Sequence, residues 1–318
     1  MNASPLRGVL LVLLAAVLWG TTGTAQSFAT AELSSYWIGT FRLGLAAAFF
    51  GVWALWLHRR AGSMGASPPR QAARASPGVL TPDIVGRHSP PPRLWFVIGA
   101  AASMALYNLA FFAGVRASSV ALGTAVALGS GPIWAGLMQT LASRRPPPAR
   151  WWLGVGVAAA GLALASSDRT TGSANPVGLL LCLVAGLGYA LYARFTKRLV
   201  SGPSLVAVTG AVFGLAALGA APIALALAGL PRLDAHDAPV LLWLGIAGTG
   251  LAYYLFGLGL RLVPSATAVA LGMAEPVAAV GFAVAVVGER PGALTIAGLA
   301  GVLAGLALLA RAESDPDR

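Results

Sequence analysis

Long apolar stretches alternate with short polar segments along the whole chain. Ten stretches can be separated, each near the length of about 20 residues that crosses ~30 Å of hydrocarbon as a helix. We place them at residues 7–28, 34–57, 94–115, 118–142, 151–167, 177–196, 203–227, 238–260, 264–287 and 292–311. A transmembrane β-barrel would instead show alternating segments of about ten residues. The pattern therefore predicts ten transmembrane helices.

Composition supports this interpretation. Of the 318 residues, 57% are hydrophobic and only 10% are charged, and the mean hydropathy is +0.78. A soluble protein has about a quarter of its residues charged. The forty glycines favour close packing of membrane helices, and the single cysteine, Cys182, excludes a disulfide within the chain. The chain is predicted to be an all-α integral membrane protein.

The formal charge of +11 is distributed unevenly over the predicted loops. With both termini in the cytoplasm, sixteen of the 21 Lys and Arg residues fall on the cytoplasmic side and four on the other, while Arg42 lies inside a span. The positive-inside rule predicts such a division for a multi-pass protein, so the charge indicates topology and not binding to nucleic acid. The first apolar stretch is as long as a full span, and we interpret it as a retained helix and not as a cleaved signal peptide.

Residues 58–93 are rich in proline, serine, glycine and arginine. A long segment of this composition is predicted to be a disordered cytoplasmic loop. Residues 312–318 are predicted to form a short cytoplasmic tail.

The phrase TAVALG occurs at Thr124–Gly129 and again at Thr267–Gly272, and a proline follows each copy. Downstream of these prolines, an offset of 144 residues aligns the two copies without a gap, with glycines matching in the fifth and tenth stretches. The aligned glycines are Gly154 with Gly298 and Gly161 with Gly305. Stretches three to five thus match stretches eight to ten.

The repeat predicts two halves of five helices, at residues 7–167 and 176–311. An odd number of spans in each half inserts the second half upside down relative to the first. Inverted repeats allow two exchangeable conformations around a site near the bilayer midplane. The predicted architecture is therefore two inverted five-helix repeats.

Several motifs resemble the EamA branch of the drug/metabolite transporter superfamily. They are LWG at 18–20, FRLGL at 41–45, a proline within the fourth and ninth spans, and VVGER at 286–290. The resemblance implies export or exchange of small metabolites, frequently amino acids, across the bacterial inner membrane. One difference is that Arg144 and Arg145 stand in the first half where the second half has Gly288 and Glu289.

Two charged residues, Arg42 and Glu275, lie inside predicted spans. Each costs roughly 3 kcal/mol or more near the helix centre, and the predicted depths of ~12 and ~18 Å from the outer face place them near each other. A guanidinium suits a carboxylate, either that of Glu275 or that of a substrate. Glu275 could also bind and release a proton, and the adjacent Pro276 is expected to free a backbone carbonyl. The alternative is a structural pair that holds spans two and nine together.

Polar and aromatic side chains within the spans are further candidates for substrate contact. These are Trp19, Trp37, Tyr107, Asn108, Ser130, Trp134, Tyr189, Tyr253 and Tyr254, with Pro132 and Pro276 as candidate helix kinks. The alternative for any one aromatic residue is packing or interfacial anchoring.

The sequence contains no motif of a metal site, a nucleotide-binding loop or a catalytic cluster. We therefore expect no enzyme activity, no metal and no cofactor. The predicted function is secondary transport, with export of amino acids or similar small metabolites, either coupled to protons or as an uncoupled facilitator. The expected partners are a small-molecule substrate and membrane lipid, and both a monomer and a homodimer remain open. The alternatives are a flippase for a lipid or lipid-linked sugar, and a non-transporting membrane sensor that uses residues 58–93.

Overall fold

Ten helices that are long and apolar enough to cross a membrane make up the fold. The computed structural model describes residues 3–30, 32–63, 94–167, 175–201 and 205–313, and this part contains no β-strand. The helices are α1 Ala3–Gln26, α2 Ser35–Ser63, α3 Leu94–Ala117, α4 Val120–Ser143, α5 Ala149–Ser167, α6 Pro176–Leu199, α7 Leu205–Ala228, α8 Asp237–Leu262, α9 Ser265–Val287 and α10 Ala293–Glu313. The predicted all-α membrane fold with ten spans is confirmed.

Helix α2 extends beyond its predicted end, so that residues 58–63 of the expected loop are helical. No glycine or proline interrupts the sequence there until Gly62. The guanidinium of Arg60 lies 4.1 Å from the ring centre of Trp56, one turn earlier, and this contact stabilises the last turns. Residues 64–93 and 314–318 lie outside the described residues, so the disordered loop remains a prediction.

The contacts between helices follow the repeat. Helix α2 packs on α7 and α5 packs on α10, and each of these pairs joins equivalent helices of the two halves. Helix α3 packs on α6, and its counterpart α8 packs on α1. Helix α4 also packs on α6, and its counterpart α9 packs on α1. This reciprocal pattern is the one that two inverted five-helix repeats produce.

The two halves differ in the regularity of their helices. Helix α8 contains a π-helical turn at Ile246–Leu251, and α9 contains a 3-10 turn at Gly272–Ala274 and a π-helical turn at Ala283–Val287. Their counterparts α3 and α4 are continuous α-helices, and Pro132 lies inside α4. Pro276 is the second residue of the α-helical segment that follows the 3-10 turn. These irregular turns of the second half place two of the side chains described below.

An aromatic cluster fills the centre of the bundle. The ring centre of Trp19 lies 5.0 Å from that of Tyr253 and 5.4 Å from that of Phe256. Tyr253 also packs on Phe213, at 5.0 Å, and on Tyr192, at 5.4 Å. All five side chains are buried, so helices α1, α6, α7 and α8 meet in a closely packed aromatic layer.

Candidate functional site

A cavity of about 680 Å³ extends from the aromatic layer to the face of the bundle opposite the termini. Its outer part is lined by residues at the ends of helices on that face, which carry mainly hydroxyl and amide groups. They are Thr22, Thr24, Gln26, Ser27, Ser35, Ser119, Ser166, Glu289 and Thr295. Apolar side chains of α4, α5, α9 and α10 form one wall. The volume lies within the range of about 300–1,000 Å³ of sites for small molecules.

Arg42 of α2 lines the deep part of the cavity and is half-buried. Its Nε donates a hydrogen bond of 3.0 Å to Oγ1 of Thr249 in the π-helical turn of α8. Thr249 is fully buried, and its hydroxyl donates a 2.7 Å hydrogen bond to the carbonyl of Leu244, five residues earlier. Thr249 was not among the candidates identified from the sequence, although a threonine between Gly248 and Gly250 inside an apolar span was a visible signal.

Glu275 of α9 lines the same cavity and is also half-buried. It is the first residue of the α-helical segment Glu275–Phe282, directly after the 3-10 turn within α9. The Glu275 amide donates to the carbonyl of Gly272, which closes the 3-10 turn. Pro276 has no N–H group to donate to the Gly272 carbonyl, but the Glu275 amide in the 3-10 turn donates to it instead. The expectation that Pro276 leaves this carbonyl free is therefore wrong.

Arg42 and Glu275 do not form a direct ion pair among the described residues. The structure places them in one cavity, as expected from their predicted depths, but leaves the two charges separate. The cavity therefore offers a cationic and an anionic group to one bound molecule. Glu289, at the outer rim, is a second carboxylate of the cavity.

Trp19, Tyr189 and Tyr253 form the aromatic floor of the cavity, and Tyr107 continues it on one side. The rings of Trp19 and Tyr189 meet edge to face with centres 6.1 Å apart, and those of Tyr107 and Tyr189 lie 5.7 Å apart. Asn108 is adjacent, and Gly39 leaves the space that its amide occupies. These five candidates from the sequence thus lie together with Arg42 and Glu275.

Three buried polar atoms at this floor have no hydrogen-bond partner among the described residues. They are Nε1 of Trp19, Nδ2 of Asn108 and the hydroxyl of Tyr189. Each of the three side chains is at least nine-tenths buried. A buried polar group without a partner costs about 1–3 kcal/mol, so a ligand that supplies partners would bind favourably here.

Four other candidate residues lie outside the cavity lining. Nε1 of Trp37 donates to the Gly229 carbonyl at 2.8 Å, and Nε1 of Trp134 donates to the Leu183 carbonyl at 3.2 Å. Ser130 Oγ donates a 3.3 Å hydrogen bond to the Ala127 carbonyl. Tyr254 packs on Trp53, with ring centres 4.7 Å apart. Of the two candidate kinks, Pro276 lines the cavity and Pro132 does not.

The described residues contain no group of three His, Cys, Asp or Glu side chains placed to hold a metal ion. The groups that line the cavity are suited to reversible binding by hydrogen bonds, charge and aromatic contact.

Known proteins resemble this chain in sequence and in fold. A sequence profile of the EamA-like transporter family matches residues 6–167 and 176–311. The Bacillus subtilis (strain 168) protein named "Uncharacterized transporter YwfM" is 30% identical over 303 residues, which cover 95% of this chain and 93% of that protein. A solved crystal structure shares the fold, with a TM-score of 0.73, 18% sequence identity and 95% of each chain covered.

The family match and the relative both point to a transporter and not to an enzyme. The resemblance seen in the motifs of α1, α2 and α9 is thereby confirmed. The chain belongs to the EamA-like transporter family of the drug/metabolite transporter superfamily.

Proposed function

We propose that this protein is a secondary transporter that exports amino acids or similar small zwitterionic metabolites by alternating access. The observation that carries the proposal is that Arg42 and Glu275 line one cavity without forming a direct ion pair. A substrate with one carboxylate and one ammonium group would engage both charges. This substrate class follows from the chemistry of the two side chains.

Two separated charges are costly in a helix bundle surrounded by lipid. Removing one partner of a buried charge pair costs about 3–5 kcal/mol, because the other charge is left uncompensated. A bound zwitterion would supply a carboxylate to the Arg42 guanidinium and an ammonium to the Glu275 carboxylate. The faces of Trp19 and Tyr253 at the cavity floor would add cation–π attraction for the ammonium.

The proposed export fits the predicted topology. The positive-inside rule places both termini in the cytoplasm, and the cavity reaches the opposite face. In a bacterial inner membrane the described state would then be open to the outside, where an exporter releases its substrate. The two repeats, residues 7–167 and 176–311, would exchange conformations to expose the same site to the cytoplasm.

Glu275 is the proposed proton-coupling group. The charged and titratable groups that share its part of the cavity are Arg42 of α2, Tyr107 of α3, Tyr189 of α6 and Tyr253 of α8. A proton or a substrate ammonium can neutralise the carboxylate, but not both at once. Substrate release to the outside and proton entry would therefore be linked as an exchange.

Transport into proteoliposomes tests the coupling. Labelled amino acids are supplied outside, with and without an imposed pH gradient, to the wild type and to Glu275→Gln. We expect the gradient to drive substrate movement in the wild type and to have no effect in Glu275→Gln. The matched control is Glu32→Gln, which removes an exposed carboxylate outside the cavity lining and should keep the response. A response to the gradient in Glu275→Gln equal to that of the wild type would refute the coupling role.

The role of Arg42 is tested by comparing an amino acid with its decarboxylated amine. We expect Arg42→Gln to lower the apparent affinity for the amino acid by at least tenfold and to affect the amine little. Arg116→Gln, at an exposed arginine at the end of α3, is the control and should change neither. Wild-type protein that moves no amino acid but transfers labelled lipid between leaflets would replace this proposal by the flippase alternative.

A further inference from the structure

Thr249, in the π-helical turn of α8, contacts the guanidinium of Arg42 in α2. Its Oγ1 lies 3.0 Å from Nε of Arg42 and 2.7 Å from the carbonyl oxygen of Leu244. Thr249 has no solvent-exposed surface. This buried hydroxyl contacts a side-chain cation that lines the cavity.

The direction of these hydrogen bonds is determined by chemistry. A guanidinium has only donors, so the Thr249 hydroxyl must accept from Arg42. The single hydroxyl hydrogen is then donated to the Leu244 carbonyl. That carbonyl is five residues before Thr249, a separation that matches the i to i+5 geometry of a π-helical turn. The helix distortion and the contact with Arg42 are thus parts of one arrangement.

Close packing of α2 on α8 holds the arrangement in place. A Cβ atom at Gly250 would approach a ring carbon of Phe49 to 2.8 Å, and one at Gly245 would overlap Leu45. Both contacts lie within a few residues of the Arg42–Thr249 hydrogen bond. The small residues around the π-helical turn therefore let α2 approach closely enough for Nε of Arg42 to reach the hydroxyl.

The hydrogen bond leaves the ligand-binding edge of Arg42 available. Among the described residues, Nε of Arg42 has a hydrogen-bond partner and the two terminal nitrogens of its guanidinium have none. Arg42 also lines the cavity. The two terminal nitrogens can then present parallel N–H groups to a carboxylate. A guanidinium held at Nε loses less rotational freedom when the substrate binds, because part of its ordering has already occurred in the empty protein.

We infer that Thr249 is a positioning residue, which holds the Arg42 guanidinium in the orientation that binds the carboxylate of the substrate. The inference rests on the proposed function for its consequence in transport, but the hydrogen bond itself can be tested separately. The first half has no equivalent, because α3 is a continuous α-helix. The Arg42–Thr249 contact is thus a structural difference between the two repeats.

The test in transport uses two substitutions of similar size. Thr249→Val removes the hydroxyl and keeps the branched shape, whereas Thr249→Ser keeps the hydroxyl. We expect Thr249→Val to raise KM about tenfold for a labelled amino acid, to leave the maximal rate within about twofold, and to leave transport of the decarboxylated amine unchanged. Thr249→Ser should restore the wild-type KM. In an Arg42→Gln background, Thr249→Val should cause no additional loss.

The test of the contact does not require transport. In purified protein labelled with ¹⁵N at arginine Nε, the Arg42 signal is assigned by its absence in Arg42→Lys. We expect its Nε–H hydrogen exchange to be slow in the wild type and Thr249→Ser, and at least tenfold faster in Thr249→Val. If the wild type moves no amino acid but this pattern appears, the proposed function fails and the positioning role stands. Equal exchange rates in wild type and Thr249→Val, or a Thr249→Ser variant that behaves like Thr249→Val, would overturn the positioning role.

Discussion

Gly161 of α5 and Gly298 of α10 lie in direct backbone contact. A Cβ atom added to Gly161 would approach the carbonyl oxygen of Gly298 to 2.6 Å, and one added to Gly298 would overlap the backbone of Gly161. The same relationship holds between Gly154 and Gly305, where a Cβ on Gly305 would lie 2.6 Å from the Gly154 carbonyl oxygen. The sequence repeat pairs Gly154 with Gly298 and Gly161 with Gly305. Exchanging the two halves therefore converts one contact into the other, as a pseudo-two-fold axis requires.

This contact predicts that α5 and α10 separate when either partner gains a side chain. We expect Gly298→Ala to destabilise the protein by about 1–3 kcal/mol, because the new methyl group has no space between the backbones. Thermal unfolding in detergent measures the effect. Gly156→Ala, in the same helix pair but with open space around its Cβ position, is the matched control. Equal unfolding temperatures for the two variants would contradict the close contact.

Arg144 ends α4 with a left-handed backbone, φ 54°, and Gly288 follows the π-helical last turn of α9 at the equivalent position, with φ 77°. Among the described residues, Arg144 is the only residue other than glycine that has a positive φ. A side chain in this conformation costs roughly 1–2 kcal/mol. We expect Arg144→Gly to raise the free energy of unfolding by about 1 kcal/mol, measured by thermal or denaturant unfolding. Arg145→Gly, at the neighbouring position, removes the same charge without relieving the left-handed backbone of Arg144. An equal gain in the free energy of unfolding of Arg145→Gly would show that the lost charge, and not the backbone, causes the effect.

Tyr189 places at the cavity floor a hydroxyl that has no hydrogen-bond partner in the described part of the chain. We expect Tyr189→Phe to weaken substrate binding by about 1 kcal/mol, or roughly fivefold in KM, if the hydroxyl bonds the substrate. The unfolding temperature should not fall, because no protein–protein hydrogen bond is lost. Tyr192→Phe is the control, since Tyr192 belongs to the same aromatic layer but not to the cavity lining. An unchanged KM in Tyr189→Phe would show that the hydroxyl does not contact the substrate.

Two cationic side chains join the ends of α6 and α8 on the face of the bundle that carries the chain termini. Lys197 Nζ donates to the carbonyls of Leu260 and, at 3.0 Å, Val263, and Arg261 Nε donates to the Val200 carbonyl at 2.9 Å. Hydrogen bonds from charged groups contribute about 1.5–3 kcal/mol each. We expect Lys197→Met, which removes two of these hydrogen bonds, to increase opening of this face by at least tenfold.

Cysteine labelling measures that opening. In a Cys182→Ser background, a cysteine is placed at Ala193, which is fully buried in α6 near this face, and its rate of maleimide labelling is followed. Arg198→Met is the control, because Arg198 is adjacent and exposed. Labelling that stays at the wild-type rate in Lys197→Met would show that these hydrogen bonds do not keep the face closed.

Much of the fold could be predicted from the sequence. Span lengths follow from the apolar stretches, because every helix that crosses lipid needs about 20 apolar residues. The repeat was visible because the glycines of α5 and α10 are required by backbone contact. The C-terminal end of α2 was predicted six residues too early, because polar residues such as Arg59 and Arg60 end a membrane span without ending the helix.

Arg42 and Glu275 were identifiable as site candidates because a charge inside a span is costly wherever it lies. Their binding roles remain predictions. The aromatic candidates were different, since Trp19 and Tyr189 line the cavity whereas Trp37 and Trp134 hydrogen-bond to neighbouring backbone. Position along a helix did not distinguish these two groups.

The sequence by itself determined the class of the protein, the number of spans, the repeat and the two costly charges. Each of these depends on local composition or on spacing along the chain. Only the tertiary structure decided which side chains face the cavity and that Thr249 contacts Arg42. In a soluble helix a polar face marks the side in contact with water, but these helices are apolar on all sides because lipid and protein interior are both apolar. The rotation of each helix was therefore set by packing against its neighbours.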